Sequence, residues 1–172
     1  MTVSVKGQQD LIDLIDWNSV EVLNQSSSHS WPACLKKGYR DQPSFLESDC
    51  DEQLLIYVPF QQVVKLHSVV LQHEEKDFAP QSMKLFVNRP NIGFDEASDE
   101  CGTQDLELEE ETVVEGKPVS LKFVKFQKVQ SVTLFIDANF ADEDVTRLSK
   151  LVLFGTPQFT TNMNDWDKAC KT

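Results

Sequence analysis

Apolar and polar positions along this chain alternate with a period of two far more often than they follow a helical period. "SMKLFVN" is the clearest case, with Met83, Leu85 and Val87 on one side and Lys84, Phe86 and Asn88 on the other, the spacing of a strand with two distinct faces. "QLLIYVPF" is apolar on both faces and rich in branched and aromatic residues, which predicts a buried strand ended by Pro59. After "QQ", "VVKLHSVVLQH" reads as a further strand with Lys65 and His67 facing outward. "QDLELE", "PVSLKFVKFQKV", "SVTLFID" and "RLSKLVLFG" extend the series, and residues 20–23 make one short strand more. A helical period occurs only near the start. In "QDLIDLIDW", Leu11, Ile12, Leu14 and Ile15 recur between Asp10, Asp13 and Asp16, which predicts a helical turn or two. The remainder of 18–43, and residues 90–103, read as loop. Without crossover helices the strands must pair mostly antiparallel, so the pattern predicts an all-β protein, an antiparallel β-sandwich with a short N-terminal helix.

At 172 residues the chain suits one domain, which would bury roughly 70% of its unfolded surface. The expected layout is a flexible N-terminus over residues 1–9, a β-sandwich over 10–160 and a tail over 161–172, with Trp166 tucked back against the sandwich. The 28 acidic against 16 basic residues leave a net charge of −12. Such a field repels phosphate backbones and offers no basic face to an anionic bilayer, so neither nucleic acid nor membrane is an expected partner. A basic protein surface would be attracted. The start, "MTVSVKGQQDLIDLIDW", lacks the charged and apolar regions of a secretion leader, and the apolar run at 54–60 is too short to span a bilayer. A soluble intracellular chain is the expectation.

Cys34, Cys50, Cys101 and Cys170 are scattered, with no C-x-x-C and no metal-ligand spacing. No redox role is expected of Cys50 among its neighbouring carboxylates. Only His29, His67 and His73 could serve a hydrolytic triad, and no G-x-S-x-G, P-loop or dinucleotide-binding turn is present. A non-enzyme without a cofactor is expected.

The densest chemistry lies in "FLESDCDEQLL", where Glu47, Asp49, Asp51 and Glu52 surround Cys50 at the mouth of the buried strand. Clustered loop carboxylates suit calcium, as do Asp137, Asp142, Glu143 and Asp144, yet neither run has the spaced pattern of a dedicated calcium loop. A solvated rim or a protein-docking rim is the simpler reading. Lys122, Lys125 and Lys128 punctuate "LKFVKFQKV", and a spacing of three fails to keep them on one strand face.

Taken in order, "EVLNQ", "FLESDCDEQLLIYVPF", "VKLHSVVL", "PQSMKLFVNRPNIGFDEA", "VKFQKVQSVTLFI", "TRLSKLVLFGTP" and "TNMNDW" resemble the PITH domain, a proteasome-interacting module found behind a thioredoxin-like domain and also in proteins without one. The resemblance covers about residues 10–167. It implies a galactose-binding-like jelly roll, association with the proteasome regulatory particle, and a cytoplasmic and nuclear location. The chain is separately expected to be a monomer. Val22 stands where members often carry Cys, and no C-x-x-C accompanies the module here, so thiol–disulfide exchange is not carried over. The "ESD-DE" block is matched by Glu47, Ser48, Asp49, Asp51 and Glu52. Of these, Ser48 and Asp49 suit a loop-fixing role, and the candidate docking rim comprises Glu47, Asp49, Asp51 and Glu52, with Asp51 and Glu52 its most exposed members. The second reading is a jelly roll binding a sugar or a phosphate-bearing head group, with Trp31, Tyr39 and Phe94 as candidate loop aromatics and calcium as a possible aid.

Overall fold

One strand organises the molecule. β4 (Leu54–Gln72) runs for 19 residues and changes partners halfway. Its first half lies between β2 (Glu21–Leu23) and β8 (Val129–Asn139), with Leu55 opposite both Leu23 and Phe135. Its second half pairs with β10 (Lys150–Pro157) and with β7 (Val119–Ser120). The sheet continues outward from β8 through β5 (Pro80–Val87) to β6 (Gln104–Glu107), and from β10 to β1 (Gln9–Asp10). A separate ribbon joins β3 (Leu46–Glu47) to β9 (Arg147–Leu148). Every pairing is antiparallel. The structure, a computed structural model, describes residues 7–29 and 45–158. Trp31, Cys34, Tyr39, Trp166 and Cys170, and with them the tail over 161–172, lie outside the described residues.

Pro59 does not end the strand as expected. Its carbonyl accepts the Asp16 N–H at 2.9 Å, so this residue turns its backbone away from β8 and its missing N–H costs no bond on that side. The irregularity falls just beyond it. Pairing with β8 slips between Pro59 and Val64, and this bulge is where the strand changes partners.

The pattern of the core explains the layers. Met83 and Leu85 of β5 enter the main core with Leu54, Ile56, Val58, Leu134 and Ile136. Phe86, one residue on, points the opposite way and joins Leu55, Ile92, Ala97 and Phe135 in a second cluster. At the start of the chain, Leu11–Leu14 form one 3-10 turn capped by Asp10, whose carboxylate accepts the Ile12 N–H at 3.0 Å.

Three expectations need correction. The 90–103 stretch is not all loop, because α1 (Phe94–Asp99) lies within it, and the Glu96 carboxylate accepts the Gly93 N–H at 3.2 Å. The acidic run after β6 is also helical. α2 (Glu110–Glu115) has Glu110 and Glu111 in its first turn, favourable to the helix dipole, and ends at Gly116 with φ +75°. Finally, "PVSLKFVKFQKV" is a strand only at Val119–Ser120 and then becomes a 3-10 turn at Phe123–Lys125. Leu121 and Phe126 are both buried. Their separation of five would put them on opposite faces of a strand, and the turn brings both inward.

Candidate functional site

The rim before β4 is folded around one residue. Asn24, just after β2, adopts φ +68°, a left-handed conformation that asparagine tolerates better than most residues. Its Nδ2 donates to the Asp51 carboxylate and to the Gln53 carbonyl, each at 2.8 Å, and its Oδ1 accepts the Cys50 N–H at 3.0 Å. Asp51 also accepts the Gln53 N–H at 3.0 Å. The Asp51 carboxylate therefore closes the loop on itself while the residue stays exposed, as expected of it; Glu52, expected to be equally exposed, is half-buried. Ser48 is buried, with its Oγ accepting the Thr146 N–H at 2.8 Å. Thr146 in turn donates its hydroxyl to the Glu52 carbonyl at 2.7 Å.

Glu47 sits opposite Arg147 in the β3–β9 ribbon and accepts its Nε–H at 2.8 Å. Asp49 is held through its main chain, which donates to the Asn24 carbonyl at 2.8 Å, while its side chain stays exposed. Among the described residues, neither Asp49 nor Glu52 has a basic partner for its carboxylate. The rim thus brings all four acidic candidates together and divides them: Glu47 and the exposed Asp51 hold the loop through their carboxylates, whereas those of the exposed Asp49 and the half-buried Glu52 do not. No three His, Cys, Asp or Glu side chains among the described residues are gathered closely enough to hold a metal ion. Asp137 is bound to the Gln53 amide at 3.0 Å, and the candidate calcium donors do not converge.

A shallow cleft of about 480 Å³ adjoins the rim, lined by Leu23, Asn24, Asp51, Gln53 and Phe94. Leu23 is 42% exposed at the sheet edge, and Phe94 stacks edge-on against Phe135 at 6.1 Å. The aromatic is therefore half-packed under its own helix, with one side left in the cleft. An apolar floor beside carboxylates can seat an apolar side chain flanked by Lys or Arg. A second cleft of about 470 Å³ lies at the β4 bulge between Tyr57, Gln61, Gln62, Asn88 and Gln130. Asn88 there commits its amide to the chain, donating to the Lys128 carbonyl and accepting from the Gln130 and Ser131 N–H groups.

The structure also assembles a group that the sequence hides. His73 is fully buried, with Nδ1 at 2.7 Å from the Ser149 hydroxyl and Nε2 at 3.5 Å from the Glu75 carboxylate. Burial holds its pKa below the ordinary 6.5, the charges of Glu74 and Glu75 work against that, and Arg147 adds to it. Arg147 bridges Glu47 and Glu75 and lies over the Phe78 and Phe45 rings, and Phe45 stacks on His29 at 4.3 Å. A serine beside a histidine and a carboxylate is the layout of an activated nucleophile. Here, however, the Ser149 N–H is committed to the Gln72 carbonyl at 2.7 Å, so that amide is not offered to an oxyanion. The group ties β9 and β10 to the end of β4. No local motif could have revealed it, because His73 and Ser149 stand 76 positions apart.

Comparison with known proteins gives a consistent answer. A thioredoxin-like protein 1 of Schizosaccharomyces pombe is 41% identical over 158 residues, covering 89% of this chain and 53% of that protein, so the chain spans about half of that relative's length. A PITH domain-containing protein of Drosophila pseudoobscura pseudoobscura is 33% identical over 150 residues, covering 86% of this chain and 70% of that protein. Among solved structures, the family 32 CBM from Clostridium perfringens NanJ, in complex with galactose, superposes with a TM-score of 0.62 at 6% identity, covering 86% of this chain and 98% of that one. At that identity the likeness shows the fold alone, a galactose-binding-like jelly roll. The PITH domain family matches residues 2–171, and with that span and these relatives the chain belongs to the PITH domain family.

Proposed function

We propose that the domain is a non-catalytic docking module that associates with the proteasome regulatory particle as a monomer in cytosol and nucleus. The observation that carries this reading is membership of the PITH family over nearly the whole chain. The rim and its cleft give it a physical form. Leu23 and Phe94 offer an apolar seat with Asp51 in its lining, and the exposed Asp49 and half-buried Glu52 of the same rim add charge without a basic partner among the described residues. Attraction through such exposed carboxylates is screened by salt, so binding of the purified regulatory particle should weaken between low and high salt. The paired reversal Asp49→Lys/Glu52→Lys should weaken it further, with the melting temperature nearly unchanged because neither carboxylate is tied inside the fold. Equal loss of binding and stability would mark the block as structural.

The small-ligand reading has one observation in its favour, the amide-lined cleft at the β4 bulge. Against it, Asn88 already commits its carbonyl oxygen and one of its two amide hydrogens to the chain. Titration with a panel of sugars and with calcium, followed by tryptophan fluorescence, should give a flat response.

A further inference from the structure

The turn at Phe123–Lys125 is a peculiar object on so acidic a chain. Large apolar side chains exposed among the described residues number only Leu23, Phe123 and Val124, and Val124 is 83% exposed. The turn is not a loose end. Leu121 and Phe126 are buried on either side of it, the Phe126 N–H returns to the Phe123 carbonyl at 3.0 Å, the Gln127 amide donates to that same carbonyl at 2.8 Å, and the Lys122 N–H donates to the Gln104 side chain at 2.7 Å. A rigid support thus presents Phe123 and Val124 to solvent, where neither contributes to the core.

The charges around it are equally selective. Lys76, Arg89, Lys117 and Arg147 each pair with a carboxylate, and Lys84 donates to three main-chain carbonyls. Lys122 and Lys128 have no carboxylate partner among the described residues, and Lys125 reaches only the Thr103 carbonyl at 3.3 Å. Lys122 leads into the 3-10 turn with extended backbone and Lys125 ends it, both exposed, so the two flank its apolar tip. In a chain of net charge −12, these ammonium groups have been left uncompensated around an apolar tip.

We propose that this knuckle, Phe123 and Val124 bracketed by Lys122, Lys125 and Lys128, is a second docking surface that seats in an apolar socket rimmed by carboxylates on the regulatory particle. The proposal rests on the docking reading and deepens it. Charge complementarity names the partner's chemistry: a carboxylate rim matches the lysines, and a socket desolvates two side chains that the fold leaves wet. A lipid surface is a poorer match, because two apolar side chains bury little area and the chain as a whole is repelled by anionic lipid. A second copy of the chain carries net charge −12 as well, which opposes self-association, and its own acidic rim makes it the alternative occupant that the self-association control tests.

The test compares the wild type, Val124→Asp, Lys122→Glu/Lys125→Glu and Asp49→Lys/Glu52→Lys for binding to purified regulatory particle at low and high salt. Val124 and both lysines are exposed, so these variants should melt with the wild type, which thermal unfolding verifies. Val124→Asp and the lysine reversal should each weaken binding about tenfold or more, and the lysine reversal should also change its salt dependence. Wild-type binding that survives both knuckle variants but falls with the rim variant overturns this inference and leaves the docking reading standing. Absence of wild-type binding removes both. Two controls can also overturn the proposal: knuckle-dependent sedimentation with phosphatidylserine vesicles, or knuckle-dependent self-association in analytical ultracentrifugation.

Discussion

Replacing Asn24 tests whether the acidic rim is a built loop or a solvated stretch of carboxylates. In Asn24→Ala, the three short hydrogen bonds disappear, those to the Asp51 carboxylate, the Gln53 carbonyl and the Cys50 N–H, together with a longer one to the Asp51 carbonyl at 3.4 Å. At the low end appropriate to partly exposed groups, each short bond is worth about 0.5–1 kcal/mol net. Alanine must also hold φ +68°, at a further cost of about 1 kcal/mol. The sum, about 2.5–4 kcal/mol, corresponds to a fall in melting temperature of roughly 5–16 °C for a domain of this size. Two companions separate the contributions. Asn24→Gly loses the same bonds without the backbone strain, so it should lie between wild type and Asn24→Ala. Asn24→Asp keeps the acceptor for the Cys50 N–H but sets a carboxylate against that of Asp51 and the Gln53 carbonyl, so it should be the least stable near neutral pH and recover as the pH falls. The assay is thermal unfolding followed by circular dichroism, with urea midpoints as a check. An Asn24→Ala midpoint within about 1 °C of wild type, or Asn24→Gly below Asn24→Ala, refutes the account.

Two further outcomes follow from the core. His73, facing Glu74, Glu75, Arg147 and Ser149, has a folded pKa below its ordinary 6.5, so just under that pH the unfolded chain binds a proton that the folded chain refuses. Stability should therefore be full above about 6.5 and fall below it by at most about 1.4 kcal/mol per pH unit for this one group. Urea midpoints between pH 7.5 and 5.5 should show this slope in the wild type and a shallower one in His73→Gln. Gly155→Ala should be severely destabilising, because a Cβ there would lie 1.8 Å from the Lys65 carbonyl oxygen where β10 bulges against β4. Poor soluble expression or a Tm lowered by more than about 8 °C is the expected reading.

Much of the fold is legible because alternation on β5 and β6, and continuous apolar runs on β8 and β10, are local properties. Each strand shows its buried face within a few residues, and antiparallel pairing follows from the lack of long crossover helices. What escaped depends on distant partners. The tolerance of Pro59 follows from which side of β4 its backbone faces, set by Asp16 some forty positions earlier. The strand reading of residues 118–129 failed because apolar content was counted without asking whether Leu121 and Phe126 could reach one core. α2 did carry signals, an acidic first turn and a glycine stop, which its overall acidity obscured.

The candidate site divides along the same line. Local spacing identified the carboxylates of the rim, but their individual roles are set by partners far away in sequence: Arg147 for Glu47, Asn24 for Asp51, Thr146 for Ser48. A carboxylate with such a partner is part of the loop's construction, and removing it changes shape before it changes affinity. Asp49 and Glu52 lack one among the described residues, so reversing their charge changes the surface and little else. The same distinction applies to the lysines, of which Lys117 is neutralised by Glu111 and Glu115 whereas Lys122 and Lys128 are not. Composition could report only the net charge of −12; which charges remain available to a partner is decided by the fold. On this reasoning the two docking surfaces should be separable by mutation, the rim through Asp49 and Glu52 and the knuckle through Val124 and its flanking lysines.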